Sequence, residues 1–313
     1  MAEAHERLFF LDVGFSATHR KGYRFGSPPE GEAATDPRYV HPPAPLSDTP
    51  ETREYMAIYI DAARIIDAQM GRVLAALDQC GLRDDTLVIC TTDHGIAFPL
   101  MKCHLSDHGI GAMLIVRGPG GFTGGKVSDA LVSHIDPFPT ICMLAAIEAP
   151  EWLQGVSLLP LVNGERDAVR EEIFVEINYH VCYEPQHAVR TARWKYILSL
   201  HDHGRPVLPK CDDSLSKDFM LAHGWREREE AEEWLYDLLY DPYETCNPAV
   251  DPACVEVVAA LRERLARWRQ DTDDPLLREP FFMPPETTQI ADPDEFSPKD
   301  TPARSARTFL GIE

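Results

Sequence analysis

Apolar positions along this chain fall into two kinds of run, and their spacing predicts the elements. Residues 8–15, "LFFLDVGF", are nearly continuous in apolar character and rich in aromatic and branched side chains, which predicts a strand covered on both faces. The next stretch, "RFGSPPEGEAATDPRYVHPPAPLSDTP" (24–50), is dense in proline and glycine and reads as a long loop. From Pro50 the spacing becomes three and four: Tyr55, Ile58, Tyr59, Ala62, Ile65, Ile66, Met70, Val73, Leu74 and Leu77 mark one stripe of a helix. Asp48 or Thr49 supplies its N-cap, Pro50 its first position, Glu51 an acidic first turn and Gly81 its stop. "DDTLVICTTD" (84–93) and "AMLIVRG" (112–118) then predict strands, and "DPFPTICMLAAI" (136–147) a short helix capped by Asp136.

After about residue 160 the runs shorten. "EEIFVEI" (171–177), "HAVRTARW" (187–194) and "KYILSL" (195–200) alternate as a small antiparallel sheet does, with "HDHG" (201–204) as a hairpin turn. "DPACVEVVAALRERLARWRQ" (251–270) is an amphipathic closing helix, and the proline- and charge-rich remainder predicts a wrapping or disordered tail. The order strand, helix, strand, strand, helix is that of an α/β fold with a doubly wound sheet, whose ligands bind at the carboxyl ends of the strands. Three parts are expected: an α/β domain over 1–165, a small sheet-plus-helix subdomain over 166–275 and an extended tail over 276–313.

Composition narrows the function classes. With 313 residues and 44% hydrophobic content, the chain can bury the core of a large domain and a smaller companion. A formal net charge of −21 argues against nucleic acid as a partner. Much of the excess lies in "REREEAEEWLYDLLYDPYE" (226–244), which reads as a solvated acidic surface. No run approaches the ~18 consecutive apolar residues of a membrane span, and the N-terminus lacks the pattern of a signal peptide, so a cytoplasmic protein without membrane contact is expected. Eight cysteines are irregularly spaced with no C-x-x-C pair, which leaves reduced, mostly buried thiols as the expectation.

The chemistry concentrates in "TLVICTTDHGIAFPLMKCHL" (86–105). Asp93 and His94 stand where a buried strand ends, and carboxylate oxygen and imidazole nitrogen are both metal ligands that adjacent residues on an irregular turn can aim at one ion. The dipeptide equally fits an Asp93 that caps a turn and a His94 that is an ordinary loop residue. Lys102 by itself carries little information. His104 and His108, with Cys103 and Asp107 beside them, form either a transition-metal cluster or a loop bordering a pocket. Arg64 and Asp67 lie within the long helix and read as its solvated or packing face.

A longer order of motifs says more. "YIDAARIIDAQMGRVLAALDQCGLRDDTLVICTTDHG", then Lys102, then "GIGAMLIVRGPGG", resembles the sulfatase family of the alkaline phosphatase superfamily. "FFLDVGFSATHR", "VSHIDPFPTI" and "WLYDLLYDPYETCNPAVDP" extend the resemblance over about residues 8–275. "DHGIAFP", "EPQHAVRTARWKYIL" and "LARWRQDTDDP" are similar to the heparan N-sulfatase (sulfamidase) group. The resemblance implies an alkaline-phosphatase-like fold and hydrolysis of a sulfate ester or sulfamate, with a sulfated small molecule or sugar as substrate. It makes Asp93 and His94 ligands of a divalent metal, Lys102 and His19 contacts to the sulfate oxygens, and His180 and His187 contacts to the sugar; on their own, His180 and His187 read equally as core or surface histidines. The family cation is calcium. His94 stands where many members carry Asn, and imidazole suits Mn or Zn better, which brings a phosphate or phosphonate ester hydrolase on the same fold into view.

The family's nucleophile is a formylglycine made from the Cys or Ser of C/S-x-P-x-R, and no Cys or Ser of this chain opens that motif. The family's Asp-Asp pair near the chain start and its Lys-x-His element are not found either. The chain therefore resembles the later part of a sulfatase. Weak metal binding and no turnover by this chain alone are expected, with a non-catalytic binding module as the alternative reading. An upstream segment or a second copy of the chain would then cover unpaired sheet edges.

Overall fold

The computed structural model describes residues 8–20, 22, 25–26 and 28–311. Its elements run α1 (Pro50–Gln79), β1 (Val88–Thr91), α2 (Asp107–Ile110), β2 (Leu114–Arg117), α3 (Pro137–Leu144), α4 (Leu159–Val162), β3 (Glu172–Tyr179), β4 (Tyr183–Thr191), β5 (Trp194–Ser199), α5 (Leu215–Ala222), β6 (Glu233–Asp237), α6 (Val255–Asp271), β7 (Gln289–Ile290), β8 (Arg304–Ser305) and α7 (Ala306–Phe309). They divide into two units that interleave along the sequence. One holds Met1–Thr91, Met113–Lys126 and Asp213–Phe219; the other holds Thr92–Ala112, Val127–Asp212 and Met220–Glu313. No helix of the described residues is long and apolar enough to cross a membrane.

In the first unit, α1 starts as the sequence predicts. The Thr49 hydroxyl accepts from Thr52 N and the Thr52 hydroxyl accepts from Thr49 N, a reciprocal cap that satisfies two orphan amides, with Pro50 behind it. Tyr55, Ala57, Ala62 and Leu77 are buried along its inner stripe. The preceding loop is tied to the helix by Asp61, whose buried carboxylate accepts from Thr35 N at 3.1 Å and Thr35 Oγ1 at 2.6 Å. Arg64 donates to the same carboxylate at 3.2 Å and also pairs with Glu32, so it ties the loop down rather than facing solvent alone. β1 and β2 follow one another with no helix between them in this unit and pair antiparallel, from Val88↔Arg117 to Thr91↔Leu114.

The apolar segment at residues 8–15 departs from expectation. It makes no strand, and Leu8 and Phe10 are 97% and 87% exposed. A run this apolar becomes a strand only when neighbours take up its amides and both faces, and no described strand does so. It borders an open groove of about 560 Å³ whose other wall is Gln69, Arg72, Val73 and Ala76 of α1. Residues 1–7, part of the stretch on which the signal-peptide reading rests, lie outside the described residues.

The second unit is organised by a four-stranded antiparallel sheet in the order β3-β4-β5-β6. Its two faces bury different partners. The cross-strand row Phe174, Val189, Tyr196 and Leu235 packs on Val258, Leu261 and Leu265 of α6. One residue further along each strand, the row Val175, Ala188, Ile197 and Trp234 receives Leu105 and Ile110 from the loop 95–111. The period of two thus serves two interfaces with one sheet.

Three expectations are corrected in this unit. The acidic stretch 226–244 contains β6, with Leu235 fully buried, because its Trp-Leu-Tyr core outweighs the flanking charge. "HDHG" is no hairpin turn, since β5 reaches β6 only through the 33 residues from Leu200 to Glu232. Asp136 opens α3 without capping it. Its buried carboxylate instead accepts from Ser133 N at 2.7 Å and Val156 N at 2.8 Å and pairs with Arg170. The tail does wrap: Ile290 and Ala306 are buried against Tyr183, with Phe281 and Phe282 beside them.

Candidate functional site

The turn that carries Asp93 and His94 belongs to the second unit. The Asp93 side chain is 88% exposed, and its Oδ1 accepts from the His94 amide at 3.1 Å. His94 Nδ1 lies 2.5 Å from the Gly95 carbonyl, while Nε2 lies 3.5 Å from Asp93 Oδ2. An Nδ1–H donating to that carbonyl leaves the Nε2 lone pair beside the carboxylate, which is how metal-binding imidazoles are commonly oriented. The pair therefore suits a cation as two of its donors. Among the described residues no group of three or more His, Cys, Asp or Glu gathers as a metal site. Two donors fall short of the four of zinc or the six to eight of calcium.

Lys102 sits on a loop fixed by backbone crossings. Gly95 N donates to Gly109 O at 2.8 Å, and the approach is so close that a Cβ on Gly95 would stand 1.8 Å from the His108 carbonyl oxygen. A Cβ on Gly109 would meet the His104 and Met101 carbonyls at 2.1 and 2.3 Å. Leu100 and Cys103, on either side of Lys102, both hold φ at 63°, a left-handed conformation that only surrounding structure sustains in such residues. Phe98 and Met101 are buried beneath it. Asp107 is pinned to the sheet by Lys195 Nζ at 2.5 Å and Arg190 Nη2 at 2.9 Å, and Lys195 also reaches Glu244 Oε1 at 2.8 Å.

A polar cluster surrounds Lys102. Asp212 Oδ2 lies 3.7 Å from its Nζ. His180, at the turn between β3 and β4, is held below its ordinary range first by desolvation and then by Lys102, with His94 and Lys210 acting the same way and Asp212 opposing. Burial pushes the Cys103 thiol up to about 11, against the pull of Lys102 and Lys210, which favours the protonated thiol. Burial, then Lys210, drives His104 well below the usual imidazole range. The Nε2 atoms of His104 and His108 are buried without a hydrogen-bond partner. Lys210 itself is buried and donates to Glu184 Oε1 at 2.7 Å.

Lys102 thus faces Asp212, and Lys102, His94 and Lys210 all act electrostatically on His180; sequence reasoning missed Asp212, Lys210 and Glu184. The first two of these lie in the irregular stretch between β5 and β6, where no periodicity marks them. His187 is corrected: it is fully buried on the α6 face of β4, with Nε2 3.3 Å from Glu176 and Nδ1 3.5 Å from Asp274, and it offers no surface to a sugar. Burial lowers it to about 4, Arg269 acting in the same direction and Asp274 against. His19 belongs to the first unit, where it is exposed with Nδ1 3.1 Å from the Arg20 carbonyl. The Arg20 guanidinium stacks between Phe25 and Tyr55 at 5.0 and 4.9 Å.

Comparison with known proteins adds a second line of observation. The family model described as Sulfatase matches residues 1–147, and the one described as N-sulphoglucosamine sulphohydrolase, C-terminal, matches residues 100–206. N-sulphoglucosamine sulphohydrolase of Homo sapiens is 30% identical over 313 residues, covering 86% of this chain and 62% of the relative. A solved structure bound to its substrate D-glucosamine-2-N,6-O-disulfate superposes with a TM-score of 0.58 at 22% identity, over 72% of this chain and 43% of that one. The phosphonate monoester hydrolase of Agrobacterium radiobacter gives a TM-score of 0.54 at 26% identity, over 70% of this chain and 42% of that one. The chain spans less than two thirds of each of these proteins.

Proposed function

Because this chain belongs to the sulfatase family, we propose that it serves a sulfatase-type hydrolase acting on sulfate esters or sulfamates of sugars, and that its own residues hold the anionic group. What supports this reading is the Lys102 ammonium, little exposed on a loop fixed by the Gly95–Gly109 crossing, with Asp212 3.7 Å away and His180 within its electrostatic reach. Sulfate spreads its charge over several oxygens, and the charge grows on the bridging atom as the S–O or S–N bond breaks. An ammonium fixed beside that position stabilises it, and a neighbouring imidazole can donate to an oxygen or return a proton to the leaving group.

Asp93 and His94 would hold a divalent cation as the two donors this chain supplies, calcium by family resemblance, manganese or zinc by the imidazole. When bound, such a cation polarises the sulfate oxygens. His180 would contribute a contact to the sugar. The attacking group is not found in the chain, so binding without turnover is the expected behaviour of these 313 residues. The resemblance to a phosphonate monoester hydrolase, together with His94, keeps a phosphonate or phosphate ester as the second reading.

Isothermal titration of the 313-residue chain with inorganic sulfate, glucosamine N-sulfate and phenylphosphonate tests the proposal. Millimolar binding of the sulfated ligands that disappears in Lys102→Ala supports it. Binding that survives Lys102→Ala, or a preference for phenylphosphonate, overturns it.

A further inference from the structure

The ammonium of Lys102 already faces a carboxylate. Asp212 Oδ2 stands 3.7 Å from Nζ, an ion-pair separation longer than the 2.7–2.9 Å of a charge-assisted hydrogen bond. The Lys102 side chain is only 16% exposed, whereas that of Asp212 is 40% exposed. A ligand reaching Lys102 therefore meets Asp212 as it arrives.

The backbone of Asp212 is anchored by the residues before it. It follows the buried turn Leu208–Lys210, whose lysine is locked to Glu184 at 2.7 Å, and Cys211 is buried against Leu208 and Trp225. A side chain on an anchored backbone keeps its acceptor near the Lys102 ammonium. Its placement is costly for a site that takes anions, since a like charge this close to a bound sulfate repels it. The cost is recovered only by a ligand whose sulfate sits next to hydroxyl or N–H donors.

We propose that Asp212 is a specificity-determining residue, accepting hydrogen bonds from sugar hydroxyl or N–H groups beside the sulfate that Lys102 holds, and disfavouring anions that lack such donors. This rests on the reading of the Lys102 loop as an anion site. A site built to pair a ligand donor rejects analogues without it more strongly than shape alone can.

The test compares Asp212→Asn with the parent chain in titrations with inorganic sulfate, phenyl sulfate and glucosamine N-sulfate. The expected result is tighter binding of inorganic and phenyl sulfate and a preference for the sugar sulfate reduced by about tenfold. If all three affinities shift together or none shifts, Asp212 is an ordinary ion-pair partner and the inference falls while the anion site stands. If the parent chain binds none of the three, the anion site falls and the inference with it. Should Asp212→Asn fail to fold, Asp212→Glu keeps the charge and displaces it by one methylene; the sugar preference should then drop while inorganic sulfate affinity holds, and an unchanged preference overturns the inference.

Discussion

Lys195 Nζ lies 2.8 Å from Oε1 of Glu244, and both side chains are buried. The same ammonium holds Asp107, so one lysine on β5 fastens the loop of the candidate site and the segment after β6 to a single point. Removing it would leave the buried Glu244 carboxylate without a cation, while Arg190 alone still held Asp107. Lys195→Met is expected to destabilise the protein by about 3 kcal/mol, read as a fall in the urea midpoint, with Glu244→Gln milder.

Glycine substitutions should separate two environments. Gly109→Ala drives a methyl into two carbonyl oxygens and is expected to cost on the order of 2 kcal/mol while weakening Lys102-dependent sulfate binding. Gly71→Ala, inside α1 with nothing within 4 Å of the new carbon, is expected to stabilise by about 0.5–1 kcal/mol. Thermal melts of the two variants should move in opposite directions.

Stability should fall with acid in a defined window. Burial holds both His187 and His201 at about 4 in the folded protein, below the ordinary 6.5. The unfolded chain therefore takes up protons first as pH falls. The contribution is complete above pH 6.5 and is lost progressively down to about 4, amounting to about 3 kcal/mol for His187. Urea midpoints measured from pH 7 to 4.5 should decline, and His187→Gln should flatten part of the slope.

The exposed apolar run at residues 8–13 should drive self-association. Leu8→Ser combined with Phe10→Ser is expected to lower light scattering of concentrated samples and leave the urea midpoint unchanged, because neither side chain is packed. A drop in midpoint would mean that these side chains are covered in solution.

How much of this was legible in the sequence depended on whether the signal was local. The start of α1 was readable because its cap chemistry and its three-and-four stripe lie within one stretch. β3, β4 and β5 were readable from alternation. β6 was hidden because charge on both sides diluted a five-residue core. Asp212 and Lys210 were hidden because their meaning comes from residues far along the chain, Lys102 and Glu184. Which of its two readings His187 takes was not legible because strand parity, which sends it toward α6, is fixed only once the register of β4 against β5 is known.

The two-sided sheet has a consequence for fidelity of folding. A shift of β4 by a single residue would thrust Glu184 and Arg190 into the seam with α6 and turn Val189 toward the loop, so every misaligned state strands charge in oil. The strand thereby acts as its own proofreader, and the lysine-bearing loop inherits an alignment accurate to one residue.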